Sequence, residues 1–416
     1  MRRATILSTI ALASLASAAS ASPGDRYFID PAHLPRPFQT SSVLRIPHIM
    51  AKPAGSWLQV PRGFHISILA DGLNNPRWMT VLPNGDIVVV ESWVTVNPNL
   101  FPKRIWLLRP QRGGSARKYL LTKDRHLPLG LAYHAGHLYV ANTNEVVRWP
   151  FTVGQTSLPK TAPEVVISGI PGHGYNQHWT RNILFSQTGD RLFLTVGSES
   201  NLAEEKPPRA CITVYPMSPN GLATGPATIY ADGLRNPIGL AFNPKTGVLW
   251  STVNERDYTG DDLVPDYLTG IKPGGFYGWP YYFIGRHHDP RMPERPDLRK
   301  RVVVPDVLLQ SHSAPLGLVF YTARQFPAQY HGDAFVAMHG STNRRERTGY
   351  KVVRVRFDAK GRPVHGYEDF VTGWLPNRMA STVWGRPAGL AVDKSGALLI
   401  ADDGGGLIWR VTYTGK

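Results

Sequence analysis

One pattern of apolar and polar positions recurs six times along the chain. Each copy opens with polar residues, often followed by proline, and continues through an apolar run, a glycine-containing turn and a second apolar run. Equivalent positions in the six copies are Pro76, Pro128, Thr180, Pro237, Pro315 and Pro387, spaced by 52, 52, 57, 78 and 72 residues. Self-similarity on this scale is typical of repeated supersecondary units.

Most copies also contain the signature of a β-hairpin. In the first copy, Asn84-Gly85 lies between two apolar runs, which favours a tight turn. Thr188-Gly189, Thr246-Gly247 and Ser395-Gly396 take its place in later copies. The pattern predicts an all-β fold, a six-bladed β-propeller of four-stranded antiparallel blades. Irregular β-sandwich domains are the alternative.

The two longest spacings predict insertions at about 257–300 and 325–349, and insertions on a repeat scaffold usually share one functional face. Ahead of the repeats, two early arginines, a weakly apolar stretch and Ala19-Ser20-Ala21 indicate a cleaved signal peptide over residues 1–21. We therefore expect an N-terminal extension over 22–59, a propeller over 60–416, and export to the periplasm or beyond the cell. No later stretch approaches the ~18 apolar residues of a membrane span.

Composition narrows the function. The 416 residues include 46 Lys+Arg and 30 Asp+Glu, a formal charge of +16. The basic residues are dispersed, which favours a basic surface over nucleic-acid binding. A single cysteine, Cys211, excludes both a disulfide scaffold and a c-type haem, whose C-x-x-C-H motif needs two thiols.

The repeat register also predicts a site. In a propeller, the loops that enter the innermost strands and those that follow the second strands open at one end of the channel. Polar and cationic residues recur at these positions, namely His126, His178, Arg235, Asn236, His339 and Arg386. Arginines, imidazoles and carboxamides around a channel mouth suit an anionic, planar or polycarboxylate ligand. We interpret residues 142–144 and 402–403 as ordinary polar loop ends.

The segment 257–262 adds an oxygen-rich loop. It contains Asp257, Tyr258, Asp261 and Asp262 and has no cysteine or histidine. Calcium prefers such ligands, although the spacing is not that of an EF-hand. A solvated acidic loop is the alternative interpretation.

Several segments resemble the sorbosone dehydrogenase family, which is grouped with the soluble quinoprotein glucose and pyranose dehydrogenases. They are residues 178–182, 196–201, 233–237, 254–257, 260–268, 274–280 and 311–318. The resemblance implies a propeller that holds pyrroloquinoline quinone and calcium and oxidises a sugar hemiacetal or aldehyde, such as sorbosone, an aldose or a pyranose. Because the chain has no haem motif, electrons would pass to an external quinone or cytochrome.

The resemblance also implies roles for individual residues. His178 matches the general base, and Arg235 matches an arginine that stabilises developing negative charge on the quinone. The further matches to cofactor-binding positions are Asn236, Arg386 and Lys351, beside which we place His126 and His339. The resemblance assigns the catalytic calcium to backbone carbonyls near Asp257 and Tyr258, and a structural calcium to Asp261 and Asp262.

Two departures from the family pattern bear on the site. Ser198 stands where glucose-oxidising relatives carry an aspartate that orients the catalytic histidine, and Glu199 is the other candidate for that role. Residues 342–344 replace a tryptophan-containing segment, which changes the expected pocket wall. Two other functions remain open: a calcium-dependent lactonase on the same fold and a non-catalytic binding propeller.

Overall fold

The computed structural model describes residues 21–93, 103–123, 126–172 and 178–415. Apart from Ala21, the expected signal peptide lies outside the described residues. Within these ranges, β-strands dominate, and the helical elements are a short α1 at Pro296–Arg299 and a 3-10 helix at Ala328–Tyr330.

The strands form six four-stranded antiparallel sheets, as the repeats predict. The first three blades contain β4 (Pro76–Val81), β5 (Ile87–Glu91), β6 (Ile105–Gln111), β7 (Gly114–Thr122); β8 (Leu131–His134), β9 (His137–Ala141), β10 (Val146–Pro150), β11 (Glu164–Ile167); and β12 (Ile183–Phe185), β13 (Arg191–Val196), β14 (Cys211–Pro216), β15 (Thr228–Asp232). The last three contain β16 (Asn236–Phe242), β17 (Leu249–Asn254), β18 (Asp266–Gly270), β22 (Val307–Leu309); β23 (Pro315–Phe320), β24 (Ala334–Met338), β25 (Lys351–Val355), β26 (Tyr367–Val371); and β28 (Pro387–Val392), β29 (Leu398–Asp402), β30 (Leu407–Tyr413), β3 (Phe64–Ala70). The all-β, six-bladed propeller is confirmed.

The sixth blade closes the ring. Its outermost strand, β3, comes from the N-terminal side and pairs antiparallel with β30 at the C-terminal end. β3 and β30, which begin and end the propeller along the chain, are therefore hydrogen-bonded within one sheet. This pairing leaves no gap between the last blade and the first.

A glycine recurs two residues after four of the five proline register points, and the central channel explains it. The innermost strands approach one another so closely that a Cβ on Gly239 would lie 2.4 Å from the backbone oxygen of Leu316. A Cβ on Gly317 would lie equally close to the backbone oxygen of Ala388 in the next blade. Because these neighbours are backbone atoms, only glycine fits at these positions.

The remaining short strands lie outside the regular blades. They are β1 (Arg26–Tyr27), β2 (His48–Ile49), β19 (Gly275–Phe276), β20 (Tyr282–Phe283), β21 (His287–His288) and β27 (Thr382–Val383). The segment before β3 follows the fifth and sixth blades, because β1 pairs with β26 and β2 pairs with β27.

The expected insertions require correction. The range 257–300 includes the blade strand β18, so the extra chain lies between β18 and β22. The range 325–349 includes the blade strand β24. None of the helices in the described part of the chain is long and apolar enough to span a bilayer.

Candidate functional site

A cavity of about 240 Å³ lies at the end of the channel predicted from the register. Side chains from the first, third, fourth, fifth and sixth blades line it. The sequence-predicted residues that meet there are His178, Arg235, Asn236, Asp257, His339 and Arg386. Apolar residues of two innermost strands, Ile238 and Leu316, also line this cavity.

The imidazole of His178 is held by Ser198. Its Nδ1 lies 3.1 Å from the backbone oxygen of Ser198 and 3.1 Å from the hydroxyl oxygen. A carbonyl oxygen only accepts hydrogen bonds, so Nδ1 carries the proton and Nε2 carries the lone pair. The Ser198 hydroxyl itself donates to the backbone oxygen of Ser200, at 2.6 Å, which leaves its oxygen able to accept from Nδ1.

Ser198 therefore takes the place that an orienting carboxylate was expected to fill. The alternative, Glu199, has a largely exposed side chain 3.9 Å from Arg209. The serine holds the base tautomer of His178 without adding a negative charge beside it.

Burial and charge both keep His178 neutral. The side chain is buried, and burial lowers its pKa well below 6.5, with the positive charge of Arg235 lowering it further. The imidazole is thus in its proton-accepting form throughout the neutral range.

Arg181 fixes the backbone on which His178 sits. Its guanidinium is fully buried and donates to the backbone oxygens of His178 and Thr180 at 3.1 and 2.8 Å. It also donates to the carbonyls of Pro171 and Gly172. One side chain therefore ties the loop before β12 to the preceding connection.

Arg235 lies beside the base on the fourth blade. It donates to the backbone oxygen of Glu255 at 2.6 Å, to Asn201 Oδ1 at 2.9 Å and to Asp257 Oδ2 at 3.2 Å. Burial would raise the pKa of Asp257, but Arg235 and His312 outweigh it and lower that pKa to about 2. Asp257 is therefore a carboxylate that anchors the arginine.

A second charged cluster lies across the channel. Asp403 pairs with Arg77 and accepts from His339 Nε2 at 2.9 Å. Arg386 donates to the backbone oxygens of His339 and Gly340, at 3.1 and 2.8 Å. Burial lowers the pKa of His339 to about 3, with Arg386 acting in the same direction, so this imidazole is neutral.

Three guanidinium groups consequently surround the cavity, those of Arg77, Arg235 and Arg386. Arg77 also lies between two indole rings, 5.3 Å from the centroid of Trp93 and 5.8 Å from that of Trp179. These guanidinium groups favour an anionic, planar ligand. The same cavity is also lined by the acidic residues Glu255, Asp257 and Asp266.

Two of the expected cofactor-binding residues do not reach the cavity. His126 is exposed before β8. Lys351 is buried in β25, where its amine lies 2.6 Å from Asp369 and 4.0 Å from the ring centroid of Tyr27. Lys351, which the family resemblance matched to a cofactor-binding position, is therefore not among the residues that line the cavity.

The residues expected to bind calcium are engaged by arginines. Arg291 donates to the backbone oxygens of both Asp257 and Tyr258. Asp262 pairs with Arg344, and Asp261 accepts from a backbone amide. The described residues contain no cluster of three or more His, Cys, Asp or Glu side chains arranged to hold a metal. In this arrangement, the oxygen atoms expected to bind calcium do not fit the ion.

The cavity does fit an anionic quinone. Besides its three guanidinium groups, it is lined by buried oxygens that have no hydrogen-bond partner in the part of the chain that the structure describes: Thr180 Oγ1, Asn236 Oδ1 and Glu255 Oε1. Asn236 Oδ1 and Glu255 Oε1 only accept hydrogen bonds, so a bound ligand would have to present N–H or O–H groups to them.

Sequence reasoning missed several members of the site. The repeat pattern predicts Asp403 only as an ordinary loop end and assigns no role to Arg77, Asn201 or His312. Arg77 does carry a detectable signal, because it is the charged residue of the innermost strand β4. For Asn201 and His312, the sequence offered only their inclusion in the resembling segments.

A family model described as TrAA12-like matches residues 58–264 and 296–414. This chain belongs to the TrAA12-like family. Among curated relatives, a pyrroloquinoline quinone-dependent pyranose dehydrogenase from Coprinopsis cinerea is 23% identical over 85% of this chain. The match covers 54% of that protein, so this chain spans about half its length. A pyrroloquinoline quinone-dependent sugar dehydrogenase from Hypocrea jecorina is 23% identical over 83% of this chain and 87% of its own.

Solved structures show the same fold. A Trichoderma reesei carbohydrate-active enzyme of family AA12 superposes with a TM-score of 0.73 at 22% identity, covering 88% of this chain and 100% of its own. The holo pyrroloquinoline quinone domain of the Coprinopsis cinerea pyranose dehydrogenase superposes with a TM-score of 0.70 at 21% identity, covering 87% and 98%. The TrAA12-like assignment thus agrees with the ring of six blades.

Proposed function

We propose that this TrAA12-like protein is a pyrroloquinoline quinone-dependent sugar dehydrogenase. The observation that carries the proposal is the neutral His178, which Ser198 holds with Nε2 as the proton acceptor. It lies beside Arg235 in a cavity that Arg77 and Arg386 also line. The names of the Coprinopsis and Hypocrea relatives support it, because both describe quinone-dependent sugar oxidation.

The residues of the cavity would have different roles in the reaction. Arg77, Arg386 and Asn236 would hold the quinone, which when bound accepts hydride from the substrate carbon. His178 Nε2 would take the proton of the substrate hydroxyl as general base. Arg235 lies where its charge would stabilise an oxyanion, and its contacts with Asn201 and Asp257 hold it in place before reaction.

The substrate we propose is a sugar hemiacetal or aldehyde, with sorbosone, aldoses and pyranoses as candidates. Thr342 and Asn343 provide a polar part of the wall, while Leu44 and Ile46 from the N-terminal extension provide an apolar part. We further propose that the protein acts after export, in the periplasm or outside the cell, and passes electrons to an external quinone or cytochrome.

Calcium is left out of the proposal, because the donors expected for it already bind arginines. The lactonase alternative would need carboxylates free to ligate a metal on the axis. Glu255, Asp257 and Asp266 do line the cavity. The first two are paired with arginines, and the carboxylate of Asp266 accepts from the backbone amides of Glu255 and Ala314. A non-catalytic binding protein would have no need of the orienting bonds at His178.

The proposal is tested by reconstitution. Purified protein is incubated with pyrroloquinoline quinone, and dye reduction is followed with sorbosone, aldoses and pyranoses. We expect turnover that depends on the quinone. Failure of the quinone to bind would reject the proposal, while lactone hydrolysis without quinone would favour the lactonase.

A further inference from the structure

Arg291 occupies the position that the family resemblance assigns to a calcium ion. Its NH1 lies 3.1 Å from the backbone oxygen of Asp257 and 3.2 Å from that of Tyr258, the two carbonyls expected to bind the metal. Its NH2 donates to Thr259 Oγ1 at 2.8 Å. One guanidinium therefore binds three consecutive residues of the turn after β17.

The guanidinium is itself fixed from the other side. Its Nε lies 2.9 Å from Asp289 Oδ1 and its NH2 lies 2.7 Å from Asp289 Oδ2, a bidentate pair. Asp289 is fully buried, whereas the Arg291 side chain is 26% exposed. A planar guanidinium held by a buried carboxylate loses little further freedom in binding the carbonyls.

These contacts leave little for a metal to bind. The backbone oxygen of Asp257 also accepts from Asn201 Nδ2 at 3.1 Å, so both of its lone pairs are used. Calcium needs about 6–8 oxygen ligands at about 2.3–2.6 Å. A calcium ion at these carbonyls would have to displace the guanidinium, so the two cations exclude each other.

The acidic side chains expected at the second calcium position also have partners. Asp262 pairs with the side chain of Arg344, and Asp261 Oδ1 accepts from the backbone amide of Arg345 at 2.8 Å. Both acidic side chains are thus engaged by a neighbouring arginine-rich segment. This agrees with the excess of basic residues in the sequence.

Arg291 also comes from a part of the chain that the family model does not match. The match stops at residue 264 and resumes at 296, so it leaves out 265–295. Most of that range is the extra chain between β18 and β22. Arg291 therefore lies outside the ranges that the family model matches.

We propose that Arg291 is a built-in cation that replaces calcium at the Asp257–Tyr258 turn, so that the site forms without a divalent metal. The inference rests on the proposed function only for the identity of the ligand that the cavity binds. A guanidinium supplies one positive charge at every physiological pH and cannot be removed by a chelator. The turn that anchors Arg235 would then be independent of calcium concentration.

Removing the side chain should convert the position into a metal site. Five oxygens would lose a donor at once: the backbone oxygens of Asp257 and Tyr258, Thr259 Oγ1 and both carboxylate oxygens of Asp289. Asp289 Oδ2 would keep its contact with Arg256, and the Asp257 carbonyl would keep its contact with Asn201. Carbonyl, hydroxyl and carboxylate oxygens are the ligands of a hard cation.

The test uses the full mature chain without quinone. Calcium is titrated into wild type, Arg291→Ala, Arg291→Lys and the control Arg286→Ala by calorimetry, and Tm is measured in EDTA and in calcium. Arg286 is an exposed arginine of the same insertion. For wild type and the control, we expect no binding heat and a Tm change below about 1 °C.

For Arg291→Ala, we expect a lower Tm in EDTA, partial recovery in calcium and a one-site isotherm. Arg291→Lys should stay indifferent to calcium, because it keeps a cation in place. A calcium-dependent rise in the Tm of wild type would overturn the proposal, even if Arg291→Ala fails to fold. A folded Arg291→Ala that gains no calcium binding would overturn it too. Because no quinone is present, these results stand apart from any failure of quinone to bind.

Discussion

His178 Nδ1 and the backbone oxygen of Ser198 lie 3.1 Å apart, and this contact sets which nitrogen of the imidazole can act as a base. The proton sits on the nitrogen that faces the serine, so the lone pair is on Nε2. In this protein a neutral hydroxyl and a carbonyl do what a carboxylate was expected to do.

Replacing the base should abolish turnover while the quinone still binds. We expect His178→Asn to lower kcat by roughly 10²–10⁴-fold, because proton acceptance from the substrate is lost. The measurements are dye-linked kinetics together with quinone titration by fluorescence quenching. His126→Gln is the matched control, since His126 is exposed and does not line the cavity. Unchanged turnover in His178→Asn would move the base elsewhere.

The acid limb of the pH profile should report the environment of His178. Burial and Arg235 lower the pKa of His178, so kcat/KM should begin to fall only below pH 6.5. Ser198→Asp would place a carboxylate at the imidazole, which raises its pKa and should move the acid limb to higher pH. Ser198→Ala keeps the carbonyl contact and should cost only about two- to tenfold in kcat. An acid limb that ignores Ser198→Asp would contradict this account.

His339 should make the fold less stable in acid. Its pKa is about 3 in the folded protein and about 6.5 when unfolded, so the unfolded state binds more protons between these values. Its contribution to stability is present above pH 6.5 and is lost as pH falls toward 3. We expect the free energy of unfolding to depend on pH less steeply in His339→Gln, by about 1.4 kcal/mol per pH unit. Denaturant titrations from pH 4 to 7 measure the slope, and equal slopes would refute the prediction.

Substitutions of Arg386 and Lys351 should change different properties: the first quinone binding, the second folding stability. Arg386→Ala removes a cation from the cavity and should weaken quinone binding by about tenfold or more, with a smaller dependence on salt. The exposed Arg324 provides the control Arg324→Ala. Titration of the apoprotein at two ionic strengths checks both effects, and an affinity equal to the control would exclude Arg386 as a ligand.

Lys351→Met should lower folding stability and leave quinone binding unchanged. It leaves Asp369 buried without its partner, which should lower the free energy of unfolding by roughly 3–5 kcal/mol. Because the amine lies away from the cavity, the folded variant should bind quinone as wild type does. Urea denaturation and quinone titration measure the two quantities. A large loss of quinone affinity would restore the role that the sequence resemblance gave this lysine.

The sequence by itself determined the ring of six blades. Its hairpin turns are local requirements, and a recurring glycine such as Gly317 marks where two innermost strands approach closely. The register also predicted that His178, Arg235 and Arg386 meet, because equivalent positions of a closed repeat share one rim.

Only the tertiary structure decided what surrounds these residues. Whether Lys351 lines the cavity or pairs with Asp369 depends on the packing of the fifth blade. Whether Ser198 or Glu199 reaches His178 depends on the path of one loop. The contact of Arg291 with Asp257 joins two segments that are 34 residues apart. Such contacts depend on how loops from different blades pack, and neither repeat spacing nor local pattern encodes that packing.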